Sequence, residues 1–231
     1  MIRPLIVLRP EPRLNETIAL AQSLGLQTIA APLFRIEPVP WTAPDPRDFD
    51  AIVAGSANAF RHGGTALADL NALSVHAVGE RTARAAREAG FAVAGTGGGS
   101  LQALVDGLPR PVRLLRLAGE RHVPVDLPAG VSMEERVVYR AEPLALGQEA
   151  TAAMLSGAVA LLHSGEAARY FAAECRRLGV DRAKVALAVL ARRIGEAAGG
   201  GWQSIVTAPS PTDAALLVIA KDMCQTVPKQ G

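Results

Sequence analysis

Short, unbroken apolar runs alternate with segments of helical periodicity along this chain. Leu5-Ile6-Val7-Leu8 reads as a buried strand, and Asn15 to Leu24 as a helix capped by Gly25. Thr28 to Ala31 is a second strand, stopped by Pro32. Ala51 to Ala54 is a third, followed by a helix to about Leu70. Val75 to Val78 reads as a strand, and Arg81 to Ala89 as a helix ended by Gly90. Phe91 to Val93 is again a strand, and Ser100 caps a helix reaching about Gly107. Strand, helix and strand in this rhythm predict βαβ units and mainly parallel sheets, an α/β fold.

After about residue 110 the pattern starts again. Val112 to Arg116 resembles Ile6 to Arg9, and Val137 to Pro143 resembles Leu33 to Pro38. Ala160 to Ser164 resembles Ile52 to Ser56, Val189 to Ala198 resembles Val78 to Arg87, and Val206 to Thr212 resembles Val93 onward. The offsets are about 105 to 112 residues, the size of a small domain. Five matches in one order predict a duplication: two similar lobes with a cleft between them. Ligands of such sheets bind beyond the carboxyl ends of strands, so the residues just after each strand are the candidates.

Composition narrows the classes. The 231 residues are 49% hydrophobic and 20% charged, an ordinary globular balance that argues against disorder. Net charge is +2 without a polybasic run, which argues against nucleic-acid binding. No apolar stretch approaches the roughly 20 residues of a membrane helix, and Met1 to Leu5 leads straight into a strand without a signal segment. Cys175 and Cys224 stand far apart and read as buried free thiols of a reducing, cytoplasmic protein. His62, His76, His122 and His163 are scattered without ligand spacing, so no metal site is expected.

The strand ends offer several polar groups. Gly55-Ser56-Ala57-Asn58 opens a helix, where Ser56 or Asn58 serves as a cap or joins backbone N–H groups around an anion. His163-Ser164-Gly165 is its repeat partner; neighbours in a strand face opposite ways, so His163 and Ser164 do not form a nucleophile–base pair. Thr82, after Gly79, is a cap or a ligand contact. Arg9, ending the first strand, forks onto a carboxylate or forms a surface ion pair. Tyr139 either packs as half-core or reaches into the cleft to polarise a leaving hydroxyl. Gly95 to Ser100 lacks the lysine of a phosphate loop and reads as a flexible βα loop, which leaves a nucleotide-linked enzyme as a minor rival.

Taken together, Leu8-Arg9-Pro10, Pro32 to Pro38, Ser56-Ala57-Asn58-Ala59, Ala77 to Ala83, Val138-Tyr139-Arg140, Leu162-His163-Ser164 and Ala208 to Thr212 resemble the uroporphyrinogen-III synthase family over nearly the whole chain. The resemblance implies two α/β lobes joined by two crossing strands, near Ile29–Glu37 and Arg136–Pro143. One lobe takes residues 1–36 and 143–231, and the other takes 37–142. It implies a cytoplasmic, monomeric lyase that uses no cofactor. Its substrate would be hydroxymethylbilane, closed to uroporphyrinogen III with the last pyrrole inverted. It casts Tyr139 as the catalytic group and Arg9, Ser56, Asn58, Thr82 and Ser164 as substrate-binding residues. Ala141 and Ala191-Arg192 depart from common family forms. The competing reading is a two-lobed small-anion binding protein without catalysis.

Overall fold

The structure is a computed structural model describing residues 3–225. In chain order it begins with β1 (Leu5–Val7), α1 (Arg13–Ser23), β2 (Thr28–Ala30) and β3 (Phe34–Pro38). Then come β4 (Ala51–Ala54), α2 (Asn58–His62), β5 (Val75–Val78), α3 (Glu80–Glu88), β6 (Val93–Gly97), α4 (Leu101–Asp106), β7 (Val112–Gly119) and β8 (Val131–Pro143). The chain ends with α5 (Gln148–Ser156), β9 (Ala158–Leu162), α6 (Gly165–Arg177), β10 (Val185–Val189), α7 (Arg192–Ala198), β11 (Ser204–Thr207) and α8 (Asp213–Gln225). No helix among the described residues is long and apolar enough to cross a membrane.

The contacts divide the chain into two compact units. One comprises the residues up to Arg35 and those from Pro143 onward; the other is Ile36–Glu142. The chain leaves the first unit within β3 and returns at the end of β8, two neighbours in one sheet.

In the first unit the sheet order is β11-β10-β9-β1-β2, with every pair parallel. Strands β9 and β10 are buried along their whole length, as expected where helices cover both faces. Leu5, Val7, Val159, Leu161, Ala186 and Ala188 pack against α1 and α8 through Leu14, Ala21, Leu216 and Leu217. Elsewhere in this unit Phe171 stacks on Trp202 at 5.4 Å between ring centroids. The strand order reverses between β1 and β9, so their carboxyl ends flank the crevice of this sheet.

The second sheet runs β3-β8-β7-β4-β5-β6, and the pairs β4–β5, β4–β7, β5–β6 and β7–β8 are parallel. Here the order reverses between β4 and β7. One face is thick: Ile52, Ala54, Val75, Ala77, Leu115 and Leu117 pack under α2 and α3. The other is thin, with Ala51, Val53 and Leu114 covered by Val105 of α4 and by the crossover between β7 and β8.

Two local expectations change. The helix predicted to reach Leu70 stops at His62, and a 3-10 turn takes Thr65–Leu70. Gly63 and Gly64 break it: Gly64 has φ +68, and a Cβ on Gly63 would sit 2.6 Å from the Ala59 carbonyl. The glycine stretch expected to be a flexible loop is strand as far as Gly97, paired with β5. Gly95 lies so close beneath His76 that a Cβ there would be 3.0 Å from Nδ1, which also gives the His76 ring its packing partner.

Candidate active site

At the reversal between β4 and β7 lies a cavity of about 380 Å³, lined by Gly55, Ser56, Val78, Arg116, Gly119, His122 and Tyr139 among others. All of these residues belong to the second unit. The chain turns at Gly55-Ser56 straight after β4, and Ser56 Oγ accepts the Asn58 N–H at 3.2 Å. Asn58 opens α2 but does not line the cavity. Thr82 is buried in the first turn of α3, also outside the lining.

Tyr139 reaches the cavity through an irregularity in strand pairing. Ala118 pairs with Val137 but Gly119 pairs with Tyr139, so β8 carries one extra residue, Val138, at this point. Val138 is fully buried, while Tyr139 packs partly against the core and partly lines the cavity. Such an insertion re-aims the side chain that follows it.

The crossover wall is fastened by polar groups. Buried Arg116 donates to Glu135 Oε1 at 2.6 Å and to the Val123 carbonyl at 2.8 Å. His122 Nδ1 lies 2.6 Å from the Gly119 carbonyl and Nε2 lies 3.0 Å from Glu135 Oε2. Both partners only accept, so the two bonds coexist when both ring nitrogens carry protons. Gln102 pairs with the backbone of Asp126 in both directions, at 2.9 and 2.8 Å. Of this wall, sequence reasoning singled out only Arg116, as the repeat counterpart of Arg9; Glu135, His122 and Gln102 sit in no recognisable spacing.

The reversal in the first unit is different. Buried Arg9 donates from Nη1 to Asp213 Oδ2 at 2.8 Å and to Thr17 Oγ1 at 3.2 Å. Arg13 reaches the same carboxylate oxygen at 2.7 Å, and His163 Nε2 lies 3.4 Å from Oδ1. Asp213 is held well below the ordinary carboxylate range, first by His163 and then by the charges of Arg9 and Arg13, against the opposing effect of burial. Burial pushes His163 below its ordinary 6.5, aided by the nearby arginines, and keeps it neutral at pH 7. Ser164 is exposed and caps α6, its Oγ accepting the Ala167 N–H at 3.1 Å. The structure therefore brings Ser56 and Tyr139 together in one cavity, and sets Arg9 and Ser164 at the strand ends of the other unit. Asp213 escaped sequence reasoning; a residue at the start of a helix gives no sign of a partner 204 positions away.

The family model for uroporphyrinogen-III synthase HemD matches residues 15–218, most of the chain. The chain belongs to the uroporphyrinogen-III synthase family. Members of this family are cyclising lyases of tetrapyrrole synthesis. A crystal structure of uroporphyrinogen-III synthetase from Helicobacter pylori is similar with a TM-score of 0.64 at 16% identity, covering 96% of this chain and 99% of that one. A substituted, selenomethionine-labelled uroporphyrinogen III synthase from Thermus thermophilus gives a TM-score of 0.55 at 17% identity, covering 96% and 100%. At these identities the likeness establishes the shared fold, two sheets of mostly parallel strands. No curated protein matches the chain by sequence. Membership in this family favours an enzyme over a small-anion binding protein.

Proposed function

We propose that this chain closes hydroxymethylbilane to uroporphyrinogen III, and that the hydroxyl leaves in the cavity at the β4–β7 reversal. The electrons for the first step come from the substrate. A pyrrole nitrogen pushes its electron pair toward the hydroxymethyl carbon, the carbon–oxygen bond breaks, and an azafulvene cation remains. Tyr139 supplies a hydrogen bond and a proton to the departing oxygen, which leaves as water. The cation is then attacked by the substituted carbon of the last pyrrole, and the resulting spiro intermediate rearranges with that ring inverted. The proton lost on closing the macrocycle restores the phenol, so no cofactor is consumed.

The protein's larger task is geometric. The unaided cation closes without inversion, so the chain must hold a flexible polyacid in one fold until the inverted bond forms. The Ser56 hydroxyl and the N–H groups of its turn suit a carboxylate in the cavity. The Asn58 N–H, bonded to Ser56 Oγ, fixes that hydroxyl, and Thr82 lies in the first turn of α3, outside the lining. The exposed Ser164 hydroxyl, at the start of α6, offers a place for a carboxylate in its own unit. Arg9, engaged with Asp213 and Thr17, supports its strand end. The two buried thiols, Cys175 and Cys224, fit a reducing cytoplasm, and the same reading takes the chain as a monomer.

The observation carrying this reading is the placement of the Tyr139 phenol and the Ser56 turn in one cavity of a family member. The test is turnover of freshly prepared hydroxymethylbilane, with the product isomers separated after oxidation. The type III isomer should form faster than the uninverted ring closes by itself. Retention of the substrate with no gain in type III product would leave a binding protein.

A further inference from the structure

We propose that Gly119 is a positioning residue that sets the Tyr139 phenol in the cavity; this rests on the role given to Tyr139 above. Gly119 is not in the left-handed region, so its backbone does not demand glycine. What it supplies is space. A Cβ there would sit 2.6 Å from Tyr139 Cζ, 2.7 Å from Cε2 and 2.8 Å from the hydroxyl. The ring lies flat against the place where any other residue would put its side chain.

Relief of that clash has one easy direction. The Gly119 carbonyl is held by His122 Nδ1 at 2.6 Å, and the Glu120 N–H donates to the Tyr139 carbonyl at 2.9 Å. Ala118, just before, remains in register with Val137. The backbone is thus tied on both sides, while the phenol is the far end of a side chain facing a cavity. Gly119→Ala displaces the ring and leaves the strands in place. A displaced donor no longer meets the departing oxygen, and a shift of about 1 Å from productive geometry costs on the order of 100-fold in rate.

The chain has two tyrosines, and Tyr170 packs on Phe34 in the other unit, so it serves as an internal reference. With ring-labelled tyrosine, Gly119→Ala should move the Tyr139 resonances and leave those of Tyr170. In turnover it should lower kcat by tenfold to on the order of 100-fold with KM little changed. In a Tyr139→Phe background the same substitution should cost almost nothing further, because Gly119 acts through the hydroxyl. An unmoved Tyr139 signal, or an equal loss in both backgrounds, overturns the proposal. Should Gly119→Ala melt early, Gly119→Ala with Tyr139→Ala removes the ring that the methyl strikes and must melt later than Gly119→Ala alone; no recovery also overturns it. If Tyr139→Phe alone turns over at the wild-type rate, the parent reading fails, and the ring resonances still decide whether Gly119 positions Tyr139.

Discussion

The two strand-order reversals are built alike and equipped differently. In the first unit the groups at the carboxyl ends of β1 and β9 are spent on one another: Arg9, Arg13 and His163 converge on Asp213. In the second, the ends of β4 and β7 open on a cavity where a phenol and a hydroxyl are presented. Arg116 and His122 of its lining both bond Glu135 and tie down the wall, and Arg121 lines the cavity as well. The same topology therefore yields a cluster centred on one carboxylate in one place and an open cavity presenting a phenol and a hydroxyl in the other. Reaction chemistry that begins with a substrate's own electrons needs the second kind of site, because the protein contributes placement and one proton.

The sharpest way to break this contrast is to remove the centre of the cluster. Asp213→Asn leaves Arg9 buried without its carboxylate, and breaking such a pair by one partner costs about 3 kcal/mol. Urea unfolding should show that loss, while the folded fraction keeps a rate within a few-fold of wild type. A large loss of rate without a loss of stability would mean that the cluster, too, meets the substrate.

The paired serines give a smaller effect. Each accepts a backbone N–H close to a helix start, Ser164 from Ala167 and Ser56 from Asn58, and loss of such a bond costs about 1 kcal/mol. Ser164→Ala should show that cost in its melting curve. Ser56→Ala should add a rise in KM, since its hydroxyl also lines the cavity; an unchanged KM would reduce Ser56 to a local fastening.

Acid gives the mildest test. His163 binds its proton less readily in the folded chain than the ordinary 6.5, so its contribution to stability is complete above that pH and declines as pH falls through it. Asp213, also depressed, contributes above 3.8 and loses its contribution as pH falls below that value. Stability should therefore decline on going from pH 7 to pH 5. His163→Gln should make that branch shallower and leave the part due to His62 and His76, which burial also holds below 6.5; an equally steep branch would remove His163 as a cause.

Much of the architecture is legible in the order of the residues alone. Runs such as Leu5 to Leu8 and Ala160 to Leu162 are apolar without alternation because helices cover both faces of the sheet they share, and this local pattern survives packing. Where glycine decides by what it lies against, reading fails. Gly95 looks like loop until the His76 ring is found above it, and Gly119 attracts no notice because its reason is a ring twenty positions later. Tyr139, inside β8 rather than at the strand end expected of it, and Ser56, just past β4, were visible as polar residues. Asp213, Glu135 and His122 were not, because ion pairs over long separations leave no spacing to read.

The most direct measurement is the turnover of fresh hydroxymethylbilane by Tyr139→Phe, with the melting temperature recorded on the same preparation. Type III formation should slow by on the order of 100-fold while the melting temperature stays that of the wild type. Type III product at the wild-type rate from a chain lacking this hydroxyl would contradict the assignment of the chemistry to the cavity phenol.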